Sequence, residues 1–380
     1  MSRASALLRV ALASVVAAAA AALPAPAHAA AQLELVPADG APRTLLARAG
    51  GADRVLLQLG WAPDGSSLTY LRTRRFEWDP ASAAAFRQPV AGGPGTLLRT
   101  AGPSGDAALS PDGRLMVEGP YRTRAGRIVP FVVRDVATGT VLTRVRAIQR
   151  PQTGPIVVEG DEPRLCWSPD ARRLAIVERD PRARRTVTRV LDLPSRRLTR
   201  VREEPADEGC FAPDGRLMLA PRTGAGEAAR LLDLATGAQR AVPDTGRDAD
   251  AGVTWAPDMR RLAYPSGEGI AVVDAATGRG PVLPIVPDTS PEDGIARHVT
   301  DVRWSPDGRT LAVVYDEGDL GYAEDPRRGP SLIVLPADGS APPRELVRGT
   351  RRSLITDIAW SPDGTWIALA SARLQPRSGR

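Results

Sequence analysis

One short motif recurs seven times and restricts the fold more than any other feature of the chain. It runs aromatic or Leu, Ser or Ala, Pro-Asp and usually Gly, then an apolar stretch. The copies begin at Trp61, Leu109, Trp167, Phe211, Trp255, Trp304 and Trp360, and their prolines are 48, 58, 44, 44, 49 and 56 residues apart. A period of this size built from short strands is the mark of propeller blades. Five of the seven Trp residues fill the first slot of the motif. Trp there has the bulk to fill the wedge between neighbouring blades. Trp61, Trp167, Phe211, Trp255, Trp304 and Trp360 are therefore read as structural anchors.

The rest of the motif is hairpin chemistry. Pro presets φ, Asp caps local backbone donors, and Gly takes the left-handed position. Ala171 and Met259 stand where Gly is expected, so those two turns must distort or carry strain of about 1 kcal/mol. A second motif, Asp-x-Ala-Thr-Gly, lies at residues 135–139, 233–237 and 274–278, with the related Pro-Ala-Asp-Gly at 336–339. Each repeat thus reads as four antiparallel strands, a to d, with Pro-Asp turns joining a to b and the second motif joining c to d. After Gly364 only one strand fits before a polar tail at 373–380. The stretch after residue 30 (Leu33–Gly40, then Leu45-Leu46) matches strands c and d of the sixth repeat. The expectation is an all-β, seven-bladed propeller over residues 30–372, its last blade completed by N-terminal strands, which removes an exposed sheet edge.

Residues 1–29 read as an export signal. They carry Arg3 and Arg9, an apolar run from Val10 to Leu23, and a small-x-small cleavage pattern at Ala27–Ala29. The mature protein is expected in the periplasm or outside the cell, without a transmembrane span. All 50 basic residues are Arg, scattered among 44 acids for a net charge of +6. That dispersal argues against nucleic acid, which needs positive charge gathered on one surface. The two cysteines, Cys166 and Cys210, occupy equivalent positions before adjacent anchors. Such positions point the same way round a ring, so free buried thiols are expected, although an oxidising compartment permits a disulfide.

The WSPDG-type repeat anchored by Trp61, Trp167, Trp255, Trp304 and Trp360 resembles the propeller of the TolB family, over residues 31–372. The resemblance implies a non-enzymatic docking surface for envelope proteins. It departs from the family in blade number, seven against the usual six, and in lacking the family's separate α/β domain.

Catalytic chemistry finds little support. A nucleophilic hydrolase needs Ser or Cys with a His base, and beyond the leader the sequence has only His298. No clustered His and Cys for zinc, nor a phosphate loop, is present. The expected role is an exported, monomeric protein-interaction scaffold without a cofactor, its partner an envelope or extracellular protein. The alternative is a small-molecule or carbohydrate-binding propeller with lyase or hydrolase activity. The long b–c and d–a connections gather on one face and carry Phe76, Trp78, Tyr322 and His298 as candidate partner anchors. Asp106, Arg164, Glu208, Asp301 and Asp357 sit three residues before their anchors, at an expected channel mouth where calcium is a candidate ligand.

Overall fold

The computed structural model describes residues 29–50, 54–74, 84–100, 107–122, 128–148, 164–180, 185–201, 208–220, 229–242, 253–267, 269–286, 295–319, 329–350 and 353–373. These residues are all β. They form seven four-stranded antiparallel sheets and one small two-stranded hairpin. The chain is a seven-bladed β-propeller, with each sheet in the order a-b-c-d.

The described residues fall into two compact units, one drawn from 1–78, 84–100 and 285–380 and the other from 101–284. The first holds blade 1 (Arg54–Trp61, Ser67–Arg74, Ala84–Pro89, Thr96–Thr100), blade 6 (Ile295–Trp304, Thr310–Asp319, Ser331–Pro336, Arg344–Arg348) and the closing blade 7. Blade 7 takes strands a and b from Ser353–Trp360 and Trp366–Arg373, and strands c and d from Ala29–Pro37 and Thr44–Gly50. Residues 31–37 pair antiparallel with 372–366, Leu33 opposite Ala370 and Pro37 opposite Trp366. The two ends of the propeller therefore meet in one sheet.

The second unit holds blades 2 to 5. Their a strands are Ala107–Leu109, Arg164–Trp167, Glu208–Phe211 and Thr254–Trp255. Blade 2 also carries the small hairpin, Tyr121–Arg122 with Ile128–Val129, between its strands b and c.

Burial follows the position of a strand in its blade. Strand c of blade 6 is buried at Ser331–Leu335, and strand c of blade 5 at Gly269–Val273. Such strands are covered on both faces, so they read as apolar runs rather than as alternation. Strand d of blade 3, Arg197–Arg200, is exposed throughout. In the first unit Leu33, Leu35, Leu56 and Leu68 are almost fully buried in one cluster with Trp61, Tyr70 and Phe86. Each such side chain contributes about 1.5–3 kcal/mol by leaving water.

The turns behave as their residues require. In the Pro-Asp turns the Asp carboxylate accepts the main-chain N–H two residues on, at 3.0 Å for Asp112 with Arg114 and 2.8 Å for Asp258 with Arg260. Where Ser precedes Pro, its hydroxyl donates to the same carboxylate at 2.6 Å, as in Ser110–Asp112, Ser168–Asp170 and Ser305–Asp307. Ala171 and Met259 adopt φ of 56° and 60°, so both turns keep the left-handed geometry and carry its strain.

Candidate functional site

The anchors latch blade to blade. The indole N–H of Trp61 donates to Ala359 O at 3.0 Å, that of Trp167 to Ala108 O at 3.2 Å, and that of Trp360 to Arg303 O at 3.2 Å. Each acceptor is the residue just before the anchor position of the preceding blade. Trp255 departs from this pattern and donates to Met218 Sδ at 3.3 Å. Trp61, Trp167, Trp255 and Trp304 are 6–9% exposed, whereas Phe211 and Trp360 are only partly buried.

Two of the expected channel-mouth acids come together. Arg303 Nε lies 3.1 Å from Asp301 Oδ1, and its Nη2 lies 3.8 Å from Asp357 Oδ1. Asp357 also accepts the N–H of Leu59, from blade 1, and of Ile358, each at 2.8 Å. Burial raises both carboxyls above the usual range against the pull of Arg303, and Asp301 raises Asp357 further. The pair is thus spent on joining the a strands of blades 6, 7 and 1. Among the described residues no group of three or more His, Cys, Asp or Glu side chains is placed to hold a metal ion. Arg164 is exposed at the start of its strand, and Glu208 begins strand a of blade 4. Asp106 lies outside the described residues, as do Phe76, Trp78 and Tyr322.

His298 was expected in a loop and lies instead within strand a of blade 6, exposed and opposite Asp316. That strand pairs out to Ile295 with Asp319, so hydrogen bonding extends beyond the expected strand start. Burial raises the Asp316 carboxyl, with His298 pulling it down.

The expectation of free thiols is overturned. Cys166 and Cys210 form a disulfide between the a strands of blades 3 and 4, with Cα atoms 5.2 Å apart. Equivalent positions do share a direction around a ring. The first strands nevertheless approach closely enough for the distance to lie inside the 4.4–6.8 Å that a disulfide spans, and separation overrides direction.

Other buried acids also serve the fold. Glu178, fully buried, pairs with Arg189 and accepts Ile148 N–H at 2.9 Å. Glu118 lies 2.5 Å from Arg134.

A cleft of about 970 Å³ opens on the turn side of the first unit, between blades 6 and 7. Five prolines (306, 336, 342, 343 and 362) line it together with Trp360, Asp307, Asp363 and Glu345. The turns of the two blades approach at one point, where a Cβ on Gly364 would sit 3.6 Å from Pro306 Cδ. Arg344 also lines the cleft, but its guanidinium is bound to the carbonyls of Ala38 and Asp39. Hydrogen bonds from Ser305 and Arg309 N–H hold Asp307 below the usual carboxylate range. For Asp363, burial raises the carboxyl, but hydrogen bonds from Ser361 and Thr365 outweigh it and the net shift is downward. In the sequence this cleft shows only as the prolines at 336, 342 and 343, on a c–d turn.

Among solved structures, oligogalacturonate lyase from Vibrio parahaemolyticus is 13% identical, with a TM-score of 0.57 over 93% of this chain and 100% of its own. An oligogalacturonate lyase in complex with manganese is 17% identical, with a TM-score of 0.54 over 93% and 99%. A structure described as TolB from Agrobacterium tumefaciens is 18% identical, with a TM-score of 0.44 over 92% and 99%. The family model of the WD domain, G-beta repeat, matches residues 343–373, from the end of the blade 6 c–d turn through strand b of blade 7. The chain is a β-propeller. At these identities the likeness is one of fold. Comparison with curated proteins returns no match.

Proposed function

We propose that this propeller is an exported scaffold that binds a protein partner, with the cleft between blades 6 and 7 as its docking site. The observation that carries this reading is the cleft itself: a groove lined by prolines and a partly exposed indole, with ionised carboxylates at its edge. Such a groove suits an extended peptide segment. The Cys166–Cys210 disulfide supports export, because disulfides persist in oxidising compartments. The acids at the strand starts favour a non-enzymatic role. Asp301 and Asp357 are tied to Arg303, and Asp357 to main-chain N–H groups as well.

The test is site-specific photocrosslinking in the native host, with a benzoylphenylalanine at exposed Ala341 in the cleft or at exposed Thr199 on blade 3. The expected result is a discrete adduct from position 341 and none from 199, in the envelope or culture fluid. Turnover of oligogalacturonate or another acidic glycan by the purified protein, without a crosslinked partner, would favour the lyase alternative.

A further inference from the structure

Trp360 is the one tryptophan of the motif's first slot that is not buried, and it faces a cleft beside a blade in which acids outnumber arginines. The whole chain carries +6, yet the described residues of blade 6 (295–319 and 329–350) hold seven acids against five arginines. Three carboxylates line the cleft, from Asp307, Asp363 and Glu345. The lining arginine, Arg344, is committed to the Ala38 and Asp39 carbonyls. The Trp360 N–H is already donated to Arg303 O, so the indole offers a ligand its ring and no polar handle. A ring face beside carboxylates attracts a cation through its quadrupole.

We infer that the cleft binds an arginine or lysine side chain carried on an extended segment of the protein partner, with the cation over Trp360 and flanked by Asp307, Asp363 and Glu345. This rests on the protein-binding reading above and names the chemistry of the partner. Asp307 is the best placed carboxylate to receive the cation. Its Oδ1 accepts Ser305 Oγ at 2.6 Å and Arg309 N–H at 3.0 Å, so the turn engages one oxygen of a residue that is exposed. Asp363 is more fully engaged, since Thr365 Oγ1 lies 2.8 Å from both of its oxygens. Glu345 shares its charge with Arg348 at 2.7 Å. The prolines contribute apolar walls for the stem of the side chain and the neighbouring backbone.

The experiment uses the full exported chain and a fluorescein-labelled peptide, acetyl-Gly-Ala-Arg-Ala-Pro-Arg-Ala-Gly-amide, read by anisotropy. Its counterpart with Glu in place of Arg is the control. The Arg peptide is expected to bind at least about tenfold tighter than the Glu peptide at low salt, and to weaken as salt screens the pair. Asp307→Asn keeps the Oδ1 acceptor that the turn needs and removes only charge. Combined with Glu345→Gln, it is expected to weaken the Arg peptide at least about fivefold, and Trp360→Phe to weaken it by roughly twofold to fivefold. Three results overturn the inference: equal binding of the two peptides, Arg binding indifferent to Asp307→Asn with Glu345→Gln, or competition by L-arginine amide as strong as by the peptide. If the adduct from position 341 persists while the peptides fail, the scaffold reading stands and this occupant falls. If no adduct forms, both fall.

Discussion

An alanine at Gly65 would weigh the hairpin turns through a single dihedral. Gly65 has φ of 72°, and an added Cβ would meet nothing within 4 Å, so conformational strain is the only new term. Gly65→Ala is expected to lower stability by about 1–2 kcal/mol, measured by urea denaturation. A neutral result would mean that the turn relaxes out of the left-handed region. The residue scale also carries a pH prediction. Asp357 has its carboxyl raised by burial, so the fold favours its protonated form. Its contribution is therefore fully present below the unfolded value near 3.8–3.9 and is lost as pH rises through the folded value. The turn carboxylates of Asp307 and Asp363 are lowered and run the other way, stabilising above about pH 4 and failing as pH falls. Asp357→Asn removes only the first of these trends. Its Tm minus that of the unaltered protein is expected to rise between pH 4 and pH 7, and a fall across that range would contradict the assignment. The turns were legible because Pro, Asp and Gly act through their own backbone. The pairing of Asp301 with Asp357 was not, because it needs Arg303 and an N–H from another blade.

Between elements, the contacts that matter join strands far apart in sequence. The anchor slot was plain in the repeat, but the indole latch onto the preceding blade shows only when blades are packed. The disulfide gives the corresponding lesson. Equivalent positions share a direction around a ring, yet the 5.2 Å approach of the two first strands lets their cysteines bond. With its cysteines 44 positions apart in sequence, the bridge restricts the unfolded chain by about 4 kcal/mol in the loop-entropy model. Cys166→Ser with Cys210→Ser, or reduction of the native protein, is expected to lower stability by up to that amount, read as a drop in denaturant midpoint. The same variant should be indifferent to dithiothreitol; a continued response would place the redox sensitivity elsewhere. The cleft between blades 6 and 7 was illegible for a related reason. Its prolines were in view, but the turn at 360–364 is set beside residues 336–345 only by the packing of two blades.

At the scale of the whole molecule, closure depends on strands supplied from the opposite end of the sequence. Residues 29–50 give the closing blade its strands c and d, and Ala31, Leu33, Leu35 and Val36 are all at most 2% exposed there. The two leucines alone represent about 3–6 kcal/mol of burial, against a usual total stability of about 5–15 kcal/mol. Their removal would also strip strand b, Trp366–Arg373, of one of its two partners and expose that hydrogen-bonding edge to other chains. A chain beginning at residue 51 is therefore expected to lose its cooperative melting transition and to associate in solution, as followed by calorimetry and light scattering. A truncated protein could fail for reasons unrelated to closure, so a second variant restores the strands in a new place. Residues 29–50 appended after residue 380 would make blade 7 contiguous, in the order a-b-c-d like the other six. That variant is expected to recover a single cooperative transition within a few degrees of the original. Persistence of the original transition in the truncated chain, or failure of the rearranged one, would show that closure does not run through these strands.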